Sequence, residues 1–304
     1  MSVPRPVSGL TIPQIRSRKG GEPLVMVTAY DAPSAAMAEA GGVDLILVGD
    51  TVAMVVLGHE DTLSLTVAEM AHHVAAVRRA RPRCPVVADM PWMSYHLSPR
   101  DTVVNAAVLV RAGAQAVKLE GGRRRISMIE ALLGAEVQVM GHLGLTPQSI
   151  HRMGGFRVQA TEPALAEALV GDAVALAEAG CFALVLEGVP DGVAAVVTDA
   201  VPIPTIGIGA GPHCDGQVLV LHDLLGLGPE RPPGGPRFVR RYANLASDGS
   251  AALAQWATDV RSRDYPSQSE SYRSGEALTK WAAGRRPTPT AVGRLTLAPE
   301  TRQD

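Results

Sequence analysis

The feature that most constrains this chain is a repeated unit, in which a short apolar run ends in a polar residue and a helical segment follows. In Asp44-Leu-Ile-Leu-Val-Gly-Asp50-Thr51, the almost wholly apolar run is typical of a strand buried on both faces. The same pattern recurs in four further runs: Pro85-Val-Val-Ala-Asp89, Ala116-Val-Lys118-Leu-Glu120, Val137-Gln-Val-Met-Gly-His142 and Ala183-Leu-Val-Leu-Glu187. Each unit therefore delivers a polar side chain to the carboxyl end of a buried strand.

Three more apolar runs, at residues 24–28, 204–209 and 217–221, bring the number of strand candidates to eight. The last of them ends at His222-Asp223. Eight strands that alternate with helical segments predict a closed parallel barrel, the TIM (β/α)8 fold. The alternative is an open doubly wound sheet, which is disfavoured because no GxGxxG motif opens a helix after the first strand.

The predicted barrel domain spans residues 23–228. Residues 1–22 form a lead segment with a short helical candidate at 12–16, expected to pack outside the first strand or against another subunit. Residues 229–262 are typical of a linker followed by C-terminal helices. Residues 263–304 are rich in Ser, Arg, Gly, Pro and Thr and are predicted to be a disordered tail, because such a segment buries little apolar surface.

Composition argues against several classes of function. A formal net charge of -2, with 28 basic and 30 acidic residues, gives no electrostatic footprint for nucleic acid or an anionic membrane. No apolar run approaches the ~20 residues that span a bilayer, and the first residues lack the apolar core of a signal peptide, so we expect a soluble cytoplasmic protein. The three cysteines lack metal-binding spacing, and Cys181 is predicted to be a buried free thiol.

The polar strand ends predict a site at one mouth of the barrel, where the carboxyl ends of all eight strands open. The converging side chains are expected to be Asp50, Asp89, Lys118, Glu120, His142 and Glu187. Carboxylates in one cleft repel each other in a reduced dielectric, so a positive charge is expected among them. Mg²⁺ suits two or three carboxylates with water and substrate oxygens, whereas zinc prefers His and Cys. A single Asp after a strand is more often a helix cap, but Asp50, Asp89 and Glu120 follow successive strands.

Two of these residues have roles that the pattern leaves open. Lys118 either pairs with Asp89 or Glu120, or neutralises a substrate carboxylate or a developing enolate, and both can hold at once. Partial desolvation makes a carboxylate a better base, so Glu187, which lies two strands from the metal group and across the mouth, is predicted as the general base. The segment Gly207-Ile-Gly-Ala-Gly211 is typical of a barrel phosphate loop, although a tight turn explains it equally well.

Several segments together resemble the ketopantoate hydroxymethyltransferase (3-methyl-2-oxobutanoate hydroxymethyltransferase) family. The resemblance runs from about residue 8 to residue 245, and its most specific parts are Val117-Lys-Leu-Glu-Gly-Gly122 and Gly141-His-Leu-Gly-Leu-Thr-Pro-Gln-Ser149. It implies a TIM barrel related to the phosphoenolpyruvate mutase and isocitrate lyase group. It also implies a large homo-oligomer, expected to be a decamer.

The resemblance further implies site roles. Asp50, Asp89 and Glu120 would surround Mg²⁺, Glu187 would be the catalytic base, and the residues in contact with the 2-oxo acid would be Asp50, Thr51, Asp89 and Lys118. The implied reaction transfers a hydroxymethyl group from 5,10-methylenetetrahydrofolate to 3-methyl-2-oxobutanoate through a metal-stabilised enolate, giving 2-dehydropantoate for pantothenate biosynthesis.

Three departures from the family pattern keep other substrates open. Thr51 stands where serine is usual, Trp92 where phenylalanine is usual, and Ser64 where proline is common. A pocket narrowed by a methyl group and an indole would favour a smaller 2-oxo acid, so a paralogue acting on a related oxo acid is one alternative. A lyase or mutase of the same barrel group would be expected to carry a cysteine in a mouth loop, and none is placed so. A non-catalytic barrel would tolerate loss of the acids, and all are present.

Overall fold

Each of the eight apolar runs predicted from the sequence overlaps a strand. In chain order these are β1 (Leu24–Thr28), β2 (Leu45–Val48), β3 (Val86–Asp89), β4 (Ala116–Glu120), β5 (Val139–Gly144), β6 (Ala183–Glu187), β7 (Thr205–Ile208) and β8 (Gly216–Leu219). Each strand pairs in parallel with the next, and β8 pairs with β1, so the sheet closes on itself. The predicted barrel is confirmed, and the open doubly wound sheet is wrong.

The computed structural model describes residues 9–228 and 236–285. The chain divides into two compact units after Ala246, and the barrel belongs to the first. The barrel domain was predicted to end at residue 228, whereas the first unit continues for a further eighteen residues, to 246. Residues 1–8, 229–235 and 286–304, which belong to the predicted lead segment, linker and tail, lie outside the described residues.

The helices follow the strands as the alternating pattern predicts. They are α1 (Ile12–Arg16), α2 (Ala32–Gly41), α3 (Val52–Val55), α4 (Val67–Arg79), α5 (Pro99–Ala112), α6 (Ile126–Gly134), α7 (Ile150–Met153), α8 (Pro163–Glu178), α9 (Asp191–Ala200), α10 (Leu221–Leu225), α11 (Leu245–Ser262) and α12 (Glu276–Ala283). Several begin at side-chain caps, for instance α4, where Thr66 and Glu69 form a capping box. None of the helices within the described residues has the length and apolar character needed to cross a lipid bilayer.

Two strand predictions are wrong in detail. The strand in the run at 137–142 was expected to end at His142, but β5 continues to Gly144. It also begins only at Val139, because the amide of Val137 still donates to Leu132 O at the end of α6. The last run was expected to reach His222-Asp223, but β8 ends at Leu219 and both residues lie in α10. The Leu221 amide donates to Thr28 Oγ1 at 2.9 Å, which satisfies a free N–H at the start of that helix.

Alternation along each strand divides the buried side chains into two layers. On β1, Met26 belongs to the cluster inside the barrel and Val27 to the cluster between barrel and helices. On β2, Leu47 faces inward and Ile46 outward in the same way. Inward-facing residues near the carboxyl ends of the strands therefore point into the mouth.

The short helix α1 closes the opposite end of the barrel. Its Ile12 and Ile15 are buried, and both belong to the cluster inside the barrel together with Leu24 and Phe182. The expectation that this segment packs outside the first strand is wrong. Two isoleucines one turn apart fill the open end of the barrel, and each gains roughly 1.5–3 kcal/mol from burial.

The second unit contains helix where a disordered tail was predicted. Residues 263–285 include a short 3₁₀ turn at Gln268–Glu270 and the helix α12. The overall composition of the tail obscured a local window of good helix formers, in which Lys280 pairs with Glu276 one turn earlier at 2.7 Å.

Candidate active site

The mouth of the barrel contains a cavity of about 40 Å³. All the residues predicted for the site line it: Asp50, Thr51, Asp89, Lys118, Glu120, His142 and Glu187. The remaining wall is largely apolar and includes Leu47, Val185 and Val218. The prediction that successive strands deliver these side chains to one place is therefore confirmed.

Strand register explains why they meet. Asp89 pairs with Lys118 across β3 and β4, and Glu120 pairs with His142 across β4 and β5. Lys118 and Glu120 are two residues apart on one strand, so both face inward. Glu187 ends β6 beside Gly144, the last residue of β5.

Lys118 supplies a positive charge among the acids. Its Nζ lies 2.9 Å from Asp89 Oδ1, and both side chains are almost completely buried. Burial alone would lower the pKa of Lys118, but the charges of Asp89 and Glu120 outweigh it and raise that pKa, so the ammonium form is favoured. Burial raises the pKa of Asp89 to about 6, even though Lys118 opposes the shift.

Asp50 is held by its neighbours on both sides. Its amide donates to Asp89 Oδ2 at 3.0 Å, and its Oδ2 accepts from Gln148 Nε2 at 2.8 Å. Burial and the nearby charge of Glu120 raise the pKa of Asp50 to about 6, against the opposing effect of Lys118. Two acids with raised pKa values in one cavity are typical of a functional site.

His142 connects the predicted base to the rest of the cluster. Its Nε2 lies 3.2 Å from Glu187 Oε2, and its Nδ1 lies 3.3 Å from Glu120 Oε1. Burial and Lys118 lower the pKa of His142, but the two carboxylates outweigh them and raise it to about 9. Lys118 Nζ lies 3.1 Å from the same Nδ1, so His142 contacts the ammonium and both carboxylates, and its imidazole ring lies between Glu187 and Glu120. The side chain of Glu187 is 17% exposed, against 2–3% for His142 and Glu120, so it is the most open to solvent of these three.

The donor set suits a hard divalent cation bound in an open site. Asp89 Oδ1 and Glu120 Oε1 are buried and accept no well-directed hydrogen bond, although each is within ion-pair distance of a basic side chain. Across residues 9–228 and 236–285, no three or more His, Cys, Asp or Glu side chains are arranged so that together they could hold a metal ion. Mg²⁺ needs only one or two protein carboxylates, because water and substrate oxygens complete its shell. These residues therefore fit Mg²⁺ as an open site, and the set of Asp50, Asp89 and Glu120 as joint ligands stays a prediction.

Two buried residues at the mouth were missed in the sequence. Gln148 contacts both Asp50 and Glu120, and its Oε1 accepts a hydrogen bond of 2.6 Å from the hydroxyl of Tyr95. Gln148 belongs to the segment Gly141–Ser149, and its place in that specific motif was the one feature of the sequence that pointed to a role in the site. Tyr95 lies in the loop after β3 and carried no signal.

Of the three departures from the family pattern, only Thr51 reaches the cavity. Its hydroxyl is 2.7 Å from the hydroxyl of Tyr30, which holds the side chain in place. Trp92 is 42% exposed and Ser64 is also exposed, and neither lines the cavity. The expectation that an indole narrows the pocket is therefore wrong, because the loop turns away after Pro91 and leaves Trp92 facing solvent.

The glycine run after β7 is explained by close packing. Gly209 and Gly211 have φ values of +62° and +79°, and a Cβ on either would collide with Phe238 or Asp191 respectively. This geometry favours the tight turn over a phosphate loop.

Comparison with known proteins identifies the family of the chain. The family model described as ketopantoate hydroxymethyltransferase matches residues 9–268. The chain belongs to this family. Like the other members of the ketopantoate hydroxymethyltransferase family, it is therefore an enzyme that transfers a one-carbon group.

Curated relatives extend over most of the chain. A 3-methyl-2-oxobutanoate hydroxymethyltransferase of Methylobacterium sp. (strain 4-46) is 54% identical over 269 residues, which cover 88% of this chain and 92% of that protein. One from Moorella thermoacetica is 52% identical over 88% of this chain and 98% of that protein. Among solved structures, 2,3-dimethylmalate lyase, a member of the PEP mutase/isocitrate lyase superfamily, is similar with a TM-score of 0.50 and 17% identity, over 86% of this chain and 90% of that one. At that identity the likeness concerns the fold alone.

Proposed function

We propose that this enzyme transfers a hydroxymethyl group from 5,10-methylenetetrahydrofolate to 3-methyl-2-oxobutanoate and so forms 2-dehydropantoate for pantothenate biosynthesis. The supporting observation is that Asp50, Asp89, Lys118 and Glu187 meet in one cavity, in a chain 52–54% identical to proteins named for this reaction. Such a cavity combines a fixed cation with a partly exposed carboxylate, which are the two groups that deprotonation next to a carbonyl requires.

Lys118 and Glu187 divide the chemistry between them. The buried ammonium of Lys118 faces the negative charge of the 2-oxo acid and of the enolate formed from it. A carboxylate oxygen of Glu187 removes the proton at C3, and His142, 3.2 Å from Oε2, orients that carboxylate. The enolate carbon then forms a C–C bond to the methylene carbon of the folate as one of its two C–N bonds breaks. Hydrolysis breaks the second C–N bond, so that water supplies the hydroxyl group of the product and tetrahydrofolate leaves.

The remaining polar residues are proposed to bind. Asp50, Thr51 and Asp89 would contact the 2-oxo acid, and Asp50, Asp89 and Glu120 would hold Mg²⁺. A bound Mg²⁺ ion would act as a Lewis acid on the carboxylate and keto oxygens of the substrate, which acidifies the C3 proton. The carboxylate oxygens of these residues are the hard ligands that this cation prefers.

A paralogue acting on a smaller 2-oxo acid is the second candidate, and one observation favours it. Thr51 lines the cavity and carries a methyl group beside the hydroxyl that bonds to Tyr30.

We also propose that the chain assembles as a homo-oligomer, a decamer, as its family resemblance implies.

The Glu187→Gln variant tests the assignment of the base. The measurement is exchange of the C3 proton of 3-methyl-2-oxobutanoate in deuterated water with Mg²⁺, followed by NMR without folate. Loss of a general base is expected to slow the exchange by about 10²–10⁴-fold. Glu178→Gln, which changes an exposed glutamate on α8, is the matched control and should exchange at the parent rate.

Exchange at the parent rate in Glu187→Gln would show that another group is the base. Omission of Mg²⁺ in the presence of EDTA forms a second arm of the same assay. If the parent enzyme exchanges equally fast there, the proposed need for the cation is wrong.

A further inference from the structure

A chain of buried hydrogen bonds connects the loops after β3 and β5 to the acids of the cavity. The amide of Glu120 donates to the Tyr95 hydroxyl at 3.2 Å, and that hydroxyl donates to Gln148 Oε1 at 2.6 Å. Gln148 Nε2 then donates to Asp50 Oδ2 at 2.8 Å and to Met90 O at 2.9 Å. Tyr95, Gln148 and Asp50 are 1%, 6% and 3% exposed, so water does not compete for these bonds.

The hydrogen bonds of this series can run in only one direction if every donor and acceptor is to be satisfied. A backbone N–H can only donate, so the Tyr95 oxygen accepts from Glu120 and has its single proton free for Gln148. The amide of Gln148 must therefore turn its oxygen to Tyr95 and both hydrogens of Nε2 to Asp50 and Met90. The flipped amide would set its oxygen against two acceptors, the Asp50 carboxylate and the Met90 carbonyl.

The same residue also holds the second acid. The backbone amide of Gln148 donates to Glu120 Oε2 at 3.0 Å, while Glu120 Oε1 accepts no well-directed hydrogen bond. One oxygen of each carboxylate is thus fixed by Gln148. Both donors of Gln148 are neutral, so the carboxylates of Asp50 and Glu120 keep the negative charge that attracts a cation. A lysine in place of Gln148 would neutralise part of that charge.

The ring of Tyr95 is held in place as well as its hydroxyl. The guanidinium of Arg125 lies 5.1 Å from the centre of the Tyr95 ring, and its Nε donates to Glu120 O at 3.2 Å. The ring therefore has little freedom to rotate, and its hydroxyl stays between Glu120 and Gln148.

We propose that Gln148 and Tyr95 are positioning residues that act in series, Tyr95 setting the orientation of the Gln148 amide and Gln148 setting the carboxylates of Asp50 and Glu120 for cation binding. The inference rests on the proposed function, because it assumes that these acids bind the divalent cation. Partners that orient metal ligands in this way typically contribute about 10–100-fold to metal affinity.

The test measures binding of Mn²⁺, used as a probe for the divalent cation, by titration calorimetry without substrate. Gln148→Leu and Tyr95→Phe are each expected to weaken Mn²⁺ binding by about 10–100-fold. The double variant is expected to bind no more weakly than Gln148→Leu alone, because Tyr95 acts only through Gln148. Tyr95→Phe removes one oxygen atom and preserves the ring, so it keeps the test valid if Gln148→Leu does not fold.

Two further variants separate the possible outcomes. Ser94→Ala removes another buried hydroxyl of the same loop, one that donates to Pro91 O at 2.7 Å, and should bind Mn²⁺ like the parent. Asp50→Asn should lose binding. If Asp50→Asn loses binding while Tyr95→Phe and Gln148→Leu keep it, the positioning role is refuted and the proposed function stands.

If Asp50→Asn binds as the parent does, the cation site itself is wrong and the proposed function fails with it. Additive losses in the double variant would refute the serial arrangement, since independent contacts add.

Discussion

Replacement of Lys118 by methionine should destabilise the protein strongly and in a way that depends on pH. The change removes the ammonium that lies 2.9 Å from Asp89 Oδ1, with both side chains buried, and leaves Asp89 without its cation. Loss of one partner of a buried ion pair typically costs about 3–5 kcal/mol. The full cost is expected only where Asp89 has to stay ionised.

The pKa of Asp89 determines how that cost changes with pH. In the parent, burial raises this pKa from 3.8 to about 6, and Lys118 is the main group that opposes the rise. In Lys118→Met the pKa rises further, so from pH 8 to about pH 7 the folded variant holds a proton that the unfolded chain and the folded parent both lack. Near pH 6 the folded parent is itself about half protonated at Asp89. Stability of the variant therefore increases as pH falls, by about 1.4 kcal/mol per pH unit. Because the parent also gains slightly near pH 6, the deficit should shrink by about 2 kcal/mol over the two units.

The assay is urea unfolding of parent and variant at pH 8, 7 and 6, in EDTA and at one protein concentration. Lys19→Met is the matched control, because Lys19 also lies 2.9 Å from an aspartate, Asp215. Burial would raise the pKa of Asp215, but hydrogen bonds from Thr205, Lys19 and Gly20 lower it. Asp215 thus stays ionised from pH 6 to pH 8, and the deficit of the control should not change with pH. A deficit of Lys118→Met that is equally large at pH 8 and pH 6 would refute the reasoning.

Two further predictions concern the substrate and the assembly. Thr51→Ser removes a methyl group from the cavity wall but keeps the hydroxyl that bonds to Tyr30. The ratio of kcat/KM for 3-methyl-2-oxobutanoate to kcat/KM for 2-oxobutanoate should therefore rise by about 10-fold. Trp92→Phe, outside the cavity, should leave that ratio unchanged, and an unchanged ratio in Thr51→Ser would mean that the methyl does not contact substrate. Sedimentation velocity should find a decamer, and a monomer across the micromolar range would contradict the proposed assembly.

Much of the fold could be predicted because its signals are local. A buried strand needs a continuous apolar run, so β1, β4 and β6 begin and end where their runs do. The capping box at Thr66 and Glu69 likewise needs only residues three apart. The end of β8 was not predictable in this way, because the apolar run continues past Leu219 and the chain leaves the sheet where Thr28 accepts the Leu221 amide.

The sequence by itself determined which acids and which lysine reach the mouth. Parallel strands in chain order bring Asp50, Asp89 and Glu120 together, and the alternation of side chains points Lys118 and Glu120 the same way. Nothing beyond strand order and a period of two residues is needed for that conclusion.

Only the tertiary structure decided how those charges are held. The pairing of Lys118 with Asp89, the place of His142 between two carboxylates, and the hydrogen bonds from Tyr95 through Gln148 to Asp50 all join side chains from different strands and loops. Their energies depend on separations of about 3 Å and on the direction of single protons, which the order of residues along a chain does not specify. The same distance dependence explains why Thr51 belongs to the cavity and Trp92 does not.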